Sequence, residues 1–353
     1  SRWAQGMLQI LMLKNPVGRP GLRFAQRLCY FTNPMFWLFP MGRLIFIISP
    51  LLYLFFGLQI FSSSGGEFVA YTFTYMIVNL MIQNYLYGRY RWPWISELYE
   101  YIQAIYLFRA IIAVVLSPRK PTFKVTSKGD TLDENQVSEL AAPYFVMFLL
   151  ILVGVGMTFW RLWSQPYLAD ITTVVGGWNV FNLLMAAAAI GVVCERRNLR
   201  RAPRVRLSRM GELEVFGQRV PAMVEDGSMG GLKVRALEAL DREPGKGEEI
   251  TFYFTPLADI ANDGLPLVVR NVMRDGQGVH FGCQPTRSDP LHFKLMADLV
   301  YADSSQWSAF QEARRKRIGV LRGTLFYLYL AAFHSVRGMT YLITLRRRSK
   351  GKA

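Results

Sequence analysis

The chain has 353 residues, 52% of them hydrophobic, with 41 Lys+Arg against 25 Asp+Glu and a formal net charge of +16. It is too apolar for an ordinary soluble protein and too charged for one lying wholly in a bilayer, so a membrane portion joined to a soluble portion is expected. The basic excess suits anionic lipid, nucleic acid or phosphorylated ligands, while the scattered Cys29, Cys194 and Cys283 exclude a disulfide framework or a structural zinc site.

The chain opens on "SRWAQGM", without a methionine or a signal-peptide pattern, and reads as a piece of something longer. Residues 1–42 interleave polar and apolar positions, as an interfacial amphipathic segment does. A channel region is expected over 43–194, with four apolar stretches for spans: Arg43–Phe61, Phe68–Tyr87, Ala141–Trp163 and Ile171–Val193. About 20 residues at about 1.5 Å rise cross a hydrocarbon core of about 30 Å. The stretch "ISELYEYIQAIYLFRAIIAVVLSP" reads instead as a second interfacial helix, because Glu97, Glu100, Gln103 and Arg109 are expensive in hydrocarbon.

The connectors at 62–67 and 164–170 carry no Lys or Arg, whereas Lys14, Arg19, Arg23, Arg27, Arg89, Arg91, Arg119, Lys120 and the 196–206 cluster flank the other ends. The positive-inside rule then puts both ends and the 88–140 segment in the cytosol. From Arg204 the pattern turns to period two, and "GELEVFG", "RVPAMVED", "GLKVRAL", "EEITFYFT", "PLVVRNVMR" and "GVHFGCQP" read as six strands of a small antiparallel barrel. That domain is bounded at 195–290 and followed by an amphipathic basic helix over 291–353. Arg322, His334 and Arg337 argue against a further span there. His280, His292 and His334 are unclustered and read as core or surface filler.

Two constellations carry chemistry. "ERRNLRRAPRVRL" at 195–207 supplies Arg200-x-x-x-Arg204, and "EDGSMGG" supplies Asp226-x-Ser228-x-x-Gly231 in a turn between strands. Arginine's planar fork can pair with phosphate or a guanine edge, and a carboxylate can accept from guanine N–H groups. A serine hydroxyl can donate to phosphate, and glycine lets the backbone come close. Arg196 and Arg197, nearest the membrane, equally suit a lipid-facing collar. Upstream, "FKVTSKGD" at 123–130 places basic and hydroxyl side chains in a glycine-bearing loop, the composition of a lid that meets phosphates.

RxxxR followed by DxSxxG resembles the PilZ domain, a cyclic di-GMP receptor module. FxVTxKG resembles the gating loop of bacterial cellulose synthases. Arg2-Trp3 is similar to the end of that family's QxxRW motif. Together with the order of spans, the chain is similar to the C-terminal half of the catalytic subunit of this family. The resemblance implies a polytopic α-helical membrane protein with about four transmembrane helices plus interfacial helices, then a cytosolic six-stranded PilZ β-barrel and a C-terminal amphipathic helix.

It also implies that Arg200, Arg201, Arg204, Asp226, Ser228, Gly230 and Gly231 bind cyclic di-GMP, an allosteric activator. Phe123, Thr126 and Lys128 of the gating loop (121–130), with Arg2 and Trp3, would meet UDP and the acceptor sugar. Phe73, Tyr75, Tyr85, Phe159, Trp160 and Trp178 are the aromatics expected to stack glucan. Implied partners are UDP-glucose, the glucan chain, membrane lipids and a periplasmic cellulose synthase subunit, with no nucleic acid. The implied location is the bacterial inner membrane. No DxD or TED motif occurs, so the resemblance assigns Mg²⁺ and the catalytic aspartates of an inverting, UDP-forming family 2 glycosyltransferase to a domain upstream. Asp133-Glu134 and Asp298 are poor substitutes. The alternative is a non-catalytic PilZ cyclic di-GMP receptor of an exopolysaccharide export system, for which a nucleotide-sugar lid has no use.

Overall fold

The computed structural model describes residues 2–60, 64–119, 135–195, 202, 204–276, 278–286, 289–315 and 317–350, with backbone alone at 345–350. The chain divides into a helical unit, residues 1–197 with 317–353, and a barrel unit, residues 198–316.

In the helical unit, α1 (Arg2–Gln9) continues as a π-helical turn over Ile10–Lys14. It is followed by α2 (Phe24–Phe36), α3 (Phe39–Phe56), a single turn α4 (Gly65–Glu67), a π-helical stretch Phe68–Phe73 and α5 (Thr74–Tyr87). Then come α6 (Ile95–Leu116), the short strand β1 (Gln136–Val137), α7 (Ala142–Ser164) and α8 (Ala169–Val193). Strand β2 (Cys194–Glu195) pairs antiparallel with β1.

Among the described residues four helical segments are long and apolar enough to cross a membrane: Phe24–Phe56, Ile95–Leu116, Ala142–Ser164 and Pro166–Val193. One of the four sequence-based spans is not among these, and one segment expected to be interfacial is. Phe68–Tyr87 drops out, because Thr72, Thr74, Asn79, Gln83 and Asn84 dilute its apolar run. Ile95–Leu116, expected to be interfacial, qualifies instead. Its costliest charge is matched, for Arg43 on α3 reaches Glu97 at 2.7 Å and Glu100 at 4.0 Å. The N-terminal helix α1 buries Ala4 and Leu8 against Leu107, Ile111 and Val114 of α6.

Proline explains how α3 is tied to α8. Pro50 has no N–H, so the carbonyl of Phe46, four residues earlier, loses its helical donor. Two side chains of α8 replace it: Trp178 Nε1 and Asn182 Nδ2 each donate to Phe46 O at 3.1 Å. Asn179 Nδ2 likewise donates to Ile151 O of α7 at 3.0 Å. At the end of α3, the buried Arg161 donates from Nε to Leu54 O at 2.7 Å and from Nη1 to Gln165 Oε1 at 2.8 Å.

The C-terminal stretch contains three α-helices: α9 (Pro290–Ala297), α10 (Ser304–Arg314) and α11 (Val320–Lys350). The first two belong to the barrel unit. Helix α11 packs against α8 so closely that a Cβ at Gly338 would collide with Ile190. It also buries Tyr327 and Ala331.

The barrel unit is a closed six-stranded antiparallel barrel of β3 (Val205–Val215), β4 (Gln218–Ser228), β5 (Gly231–Ala236), β6 (Glu249–Tyr253), β7 (Leu265–Asp275) and β8 (Gly278–Pro285). Their spatial order is β3-β4-β5-β8-β7-β6. Alternation puts Leu213, Val215, Val220, Val224, Leu232, Val234, Phe252 and Phe281 inside. The ring closes where Glu212, Leu213 and Glu214 of β3 face Tyr253, Phe252 and Thr251 of β6. Helix α9 and the π-helical turn Asp298–Ala302 add Leu295, Met296, Leu299 and Val300 to this core.

The Phe46 carbonyl yields a double-mutant test. Asn182→Leu should lower the melting temperature of the purified protein, and Pro50→Ala, which restores the helical N–H, should make that substitution less costly. We expect a coupling of about 0.6–1.7 kcal/mol from thermal denaturation, the range for interhelical hydrogen bonds in membranes. Simple additivity would remove this role for Asn182.

Candidate functional site

In the barrel unit the register assembles the site. Residues Val205 and Arg206 of β3 lie opposite Gly227 and Asp226 of β4, so Arg204, just before β3, reaches back over the end of β4. Its Nη1 donates to Asp226 Oδ1 at 2.7 Å, and the two side chains remain 21% and 25% exposed. A partly exposed pair of this kind contributes only about 0–1 kcal/mol. Its effect is geometric: it fixes the guanidinium fork over the turn while leaving other donors available.

The turn between β4 and β5 is held from within. Ser228 is 3% exposed and its Oγ accepts from Gly230 N at 3.4 Å. A Cβ on Gly231 would stand 2.7 Å from the Cys283 carbonyl oxygen and 3.1 Å from Arg204 Nη2, so any side chain there displaces the arginine or β8. A Cβ on Gly230 would meet only Ser228 Oγ, at 4.0 Å. Five of the seven residues expected to bind the dinucleotide are thereby described: Arg204, Asp226, Ser228, Gly230 and Gly231. Arg200 and Arg201 lie outside the described residues, as do Phe123, Thr126 and Lys128 of the lid-like loop and Asp133-Glu134.

Several residues were not legible beforehand. Cys283 lies beneath the site, where burial pushes its thiol up to about 12, with the Arg204 guanidinium pulling the other way. Beside Asp226, Glu225 pairs with Lys233 Nζ at 2.7 Å and Arg235 Nε at 3.2 Å and lies 3.2 Å from His280 Nδ1. Only the cross-strand register of β4, β5 and β8 joins these four. Asp298 holds structure together, its carboxylate accepting from Leu257 N at 3.0 Å and Ala258 N at 2.9 Å. Among the described residues no group of three or more His, Cys, Asp or Glu could hold a metal ion.

In the helical unit an apolar cavity of about 330 Å³ is lined by Phe46, Tyr53, Phe68, Thr72, Val175 and Trp178, among others. Of the six expected sugar-stacking aromatics only Trp178 lines it. Phe73, Tyr75, Tyr85, Phe159 and Trp160 stand 49–75% exposed. Tyr53 and Phe46, which the sequence did not single out, also line it, and Tyr53 Oη lies 2.8 Å from Thr172 Oγ1. Trp3 is 77% exposed on α1, and Arg2 begins that helix.

Residues 198–302 match the family model of the PilZ domain. The chain is 33% identical over 206 residues to the cellulose synthase catalytic subunit (UDP-forming) of Pseudomonas fluorescens (strain SBW25), covering 58% of this chain and 28% of the relative. It is 35% identical over 243 residues to cellulose synthase 2 of Novacetimonas hansenii, covering 66% of this chain and 15% of the relative. Among solved structures it is similar to the PilZ domain with c-di-GMP of YcgR from Escherichia coli. There the identity is 12%, the TM-score 0.26, and the match covers 32% of this chain and 96% of that one.

Burial and the raised thiol predict that, in the folded protein at pH 8, a thiol-specific reagent modifies the exposed Cys29 and spares Cys283. Mass spectrometry of labelled peptides reads the result, and equal labelling of both would contradict the geometry at β8. The chain, which spans under a third of the length of the Pseudomonas relative, is similar to cellulose synthase catalytic subunits and carries a PilZ domain at 198–302.

Proposed function

We propose that the chain is the channel and cyclic di-GMP-regulated half of a processive UDP-glucose-dependent β-1,4-glucan synthase, which couples synthesis to transport across a bacterial inner membrane. The observation that carries this reading is the Arg204–Asp226 pair set at 2.7 Å against the Ser228–Gly231 turn, within a barrel that matches the PilZ model.

The residues present suit the dinucleotide. Arg204 has N–H donors beyond the one given to Asp226, and these can pair with phosphate or a guanine edge. Asp226 can accept from guanine N–H groups, and the open face of Gly230 admits the ligand close to the backbone. Arg200 and Arg201 would complete the grip from the linker.

In the wider cycle, an arginine of the 196–204 cluster is held by an acidic partner on the transferase domain until cyclic di-GMP competes for it. Release frees the 121–130 loop to close over UDP through Phe123, Thr126 and Lys128. Arg2 meets the diphosphate and Trp3 the acceptor sugar. The cavity lined by Phe46, Tyr53 and Trp178 is assigned to the glucan path. Mg²⁺ and the catalytic aspartates of an inverting family 2 transferase are assigned to a domain that these residues do not include. The PilZ unit and both chain ends face the cytosol, and the periplasmic subunit receives the polymer.

Calorimetric titration of the purified full chain with cyclic di-GMP tests the site. Arg204→Ala and Asp226→Ala should each weaken binding at least about tenfold, matching the roughly 1.5–3 kcal/mol carried by a hydrogen bond to a charged group. Wild-type affinity in both variants would refute the assignment.

A further inference from the structure

A second cavity opens from the same turn. It holds about 210 Å³ and is lined by Met229 and Gly230 of the turn, Gln284 of β8, and His292, Phe293 and Met296 of α9. Cavities that enclose a drug-sized ligand run to about 300–1,000 Å³, so this one has room for a single planar base and not for a whole dinucleotide.

Its lining is polarised in a way that specifies the base. Gln284 Oε1 accepts from Arg270 Nε at 3.0 Å. Arginine can only donate, so this bond fixes the amide with its oxygen towards Arg270 and leaves Nε2 as the donor available to a ligand. His292 Nδ1 is buried without a hydrogen-bond partner among the described residues. An unpaired buried polar atom costs about 1–3 kcal/mol, and a ligand that reaches it recovers that cost. In the neutral imidazole such a nitrogen can accept. Phe293 is 62% exposed, an aromatic face turned out of the core while its neighbours Leu295 and Met296 are buried. The polarizable Met229 and Met296 supply adaptable walls.

We propose that this cavity is a guanine subsite: Phe293 stacks on the base, the Gln284 amide donates to guanine O6, and His292 Nδ1 accepts from guanine N1–H. Adenine presents the opposite polarity at those two positions, an amino donor beside an acceptor nitrogen, and leaves both protein groups unpaired. The subsite makes Gln284, His292 and Phe293 specificity residues of the barrel, outside the RxxxR and DxSxxG elements. It rests on the reading of residues 226–231 as a cyclic di-GMP loop.

The test is titration of the full-length protein with cyclic di-GMP and, separately, cyclic di-AMP. Stacking of a base on an aromatic ring is worth about 1–3 kcal/mol, so Phe293→Ala should weaken cyclic di-GMP about tenfold, and Phe293→Tyr should restore it. Gln284→Glu exchanges the donor for an acceptor and should reduce the preference for cyclic di-GMP over cyclic di-AMP at least about tenfold. Phe293 is exposed, so its truncation leaves the barrel folded, which a thermal melt checks. Wild-type affinity in Phe293→Ala together with wild-type preference in Gln284→Glu overturns the subsite and leaves the loop assignment standing. Absence of cyclic di-GMP binding by the wild-type protein overturns both.

Discussion

Away from water, every backbone N–H and C=O must find a partner inside the protein, and this constraint shapes both units. In the helical unit Pro50 breaks one bond of the α3 ladder, and two side chains of α8 close on the orphaned Phe46 carbonyl. Arg161 does the same for Leu54 at the helix end. The repairs are also the joints: each satisfied carbonyl ties α3 to a neighbouring helix. In the barrel unit the constraint is met by closing the sheet on itself, which removes free edges.

Closure has a second effect, because it decides which residues meet at the ends of the strands. The approach to β3, the turn after β4 and the end of β8 converge, bringing Arg204, Asp226 and Gly231 over Cys283. The ion pair is weak as a stabiliser and valuable as a placement device. It keeps a cationic fork aimed at a turn where Gly231 lets β8 and Arg204 come close to the backbone. Where β8 runs on into α9, the polar groups of Gln284 and His292 line the neighbouring hollow. One rim of the barrel therefore sets the Arg204–Asp226 pair beside this hollow.

The six strands were legible because each alternates apolar and polar residues, and the glycine-rich turns mark their limits. The motif residues Arg204, Asp226 and Ser228 were legible from their spacing. What sequence reading missed depended on distant partners. Helix α6 looked too charged to be span-capable because Arg43, which meets Glu97, lies 54 positions away on α3. The dilution of Phe68–Tyr87 by threonines and amides was visible but outweighed by its apolar ends. Trp178 was singled out, yet its companions Phe46 and Tyr53 depend on how α3 crosses α8. The strand order also remained hidden, and it alone brings Cys283 under Arg204 and sets Glu225 among Lys233, Arg235 and His280.

The join between β3 and β6 spans only Glu212, Leu213 and Glu214, while β3 pairs with β4 along nearly its whole length. Local opening of a fold follows its least supported hydrogen bonds. Strand β6, the shortest of the six, is held by this join and by four register pairs to β7, so amide exchange in the native state should loosen first there. The candidate site draws on the approach to β3, the turn between β4 and β5 and the end of β8, and of these strands β5 and β8 lie farthest from that join. Loss of the β3–β6 join would leave in place the β3–β4, β4–β5 and β5–β8 pairings that assemble the candidate site.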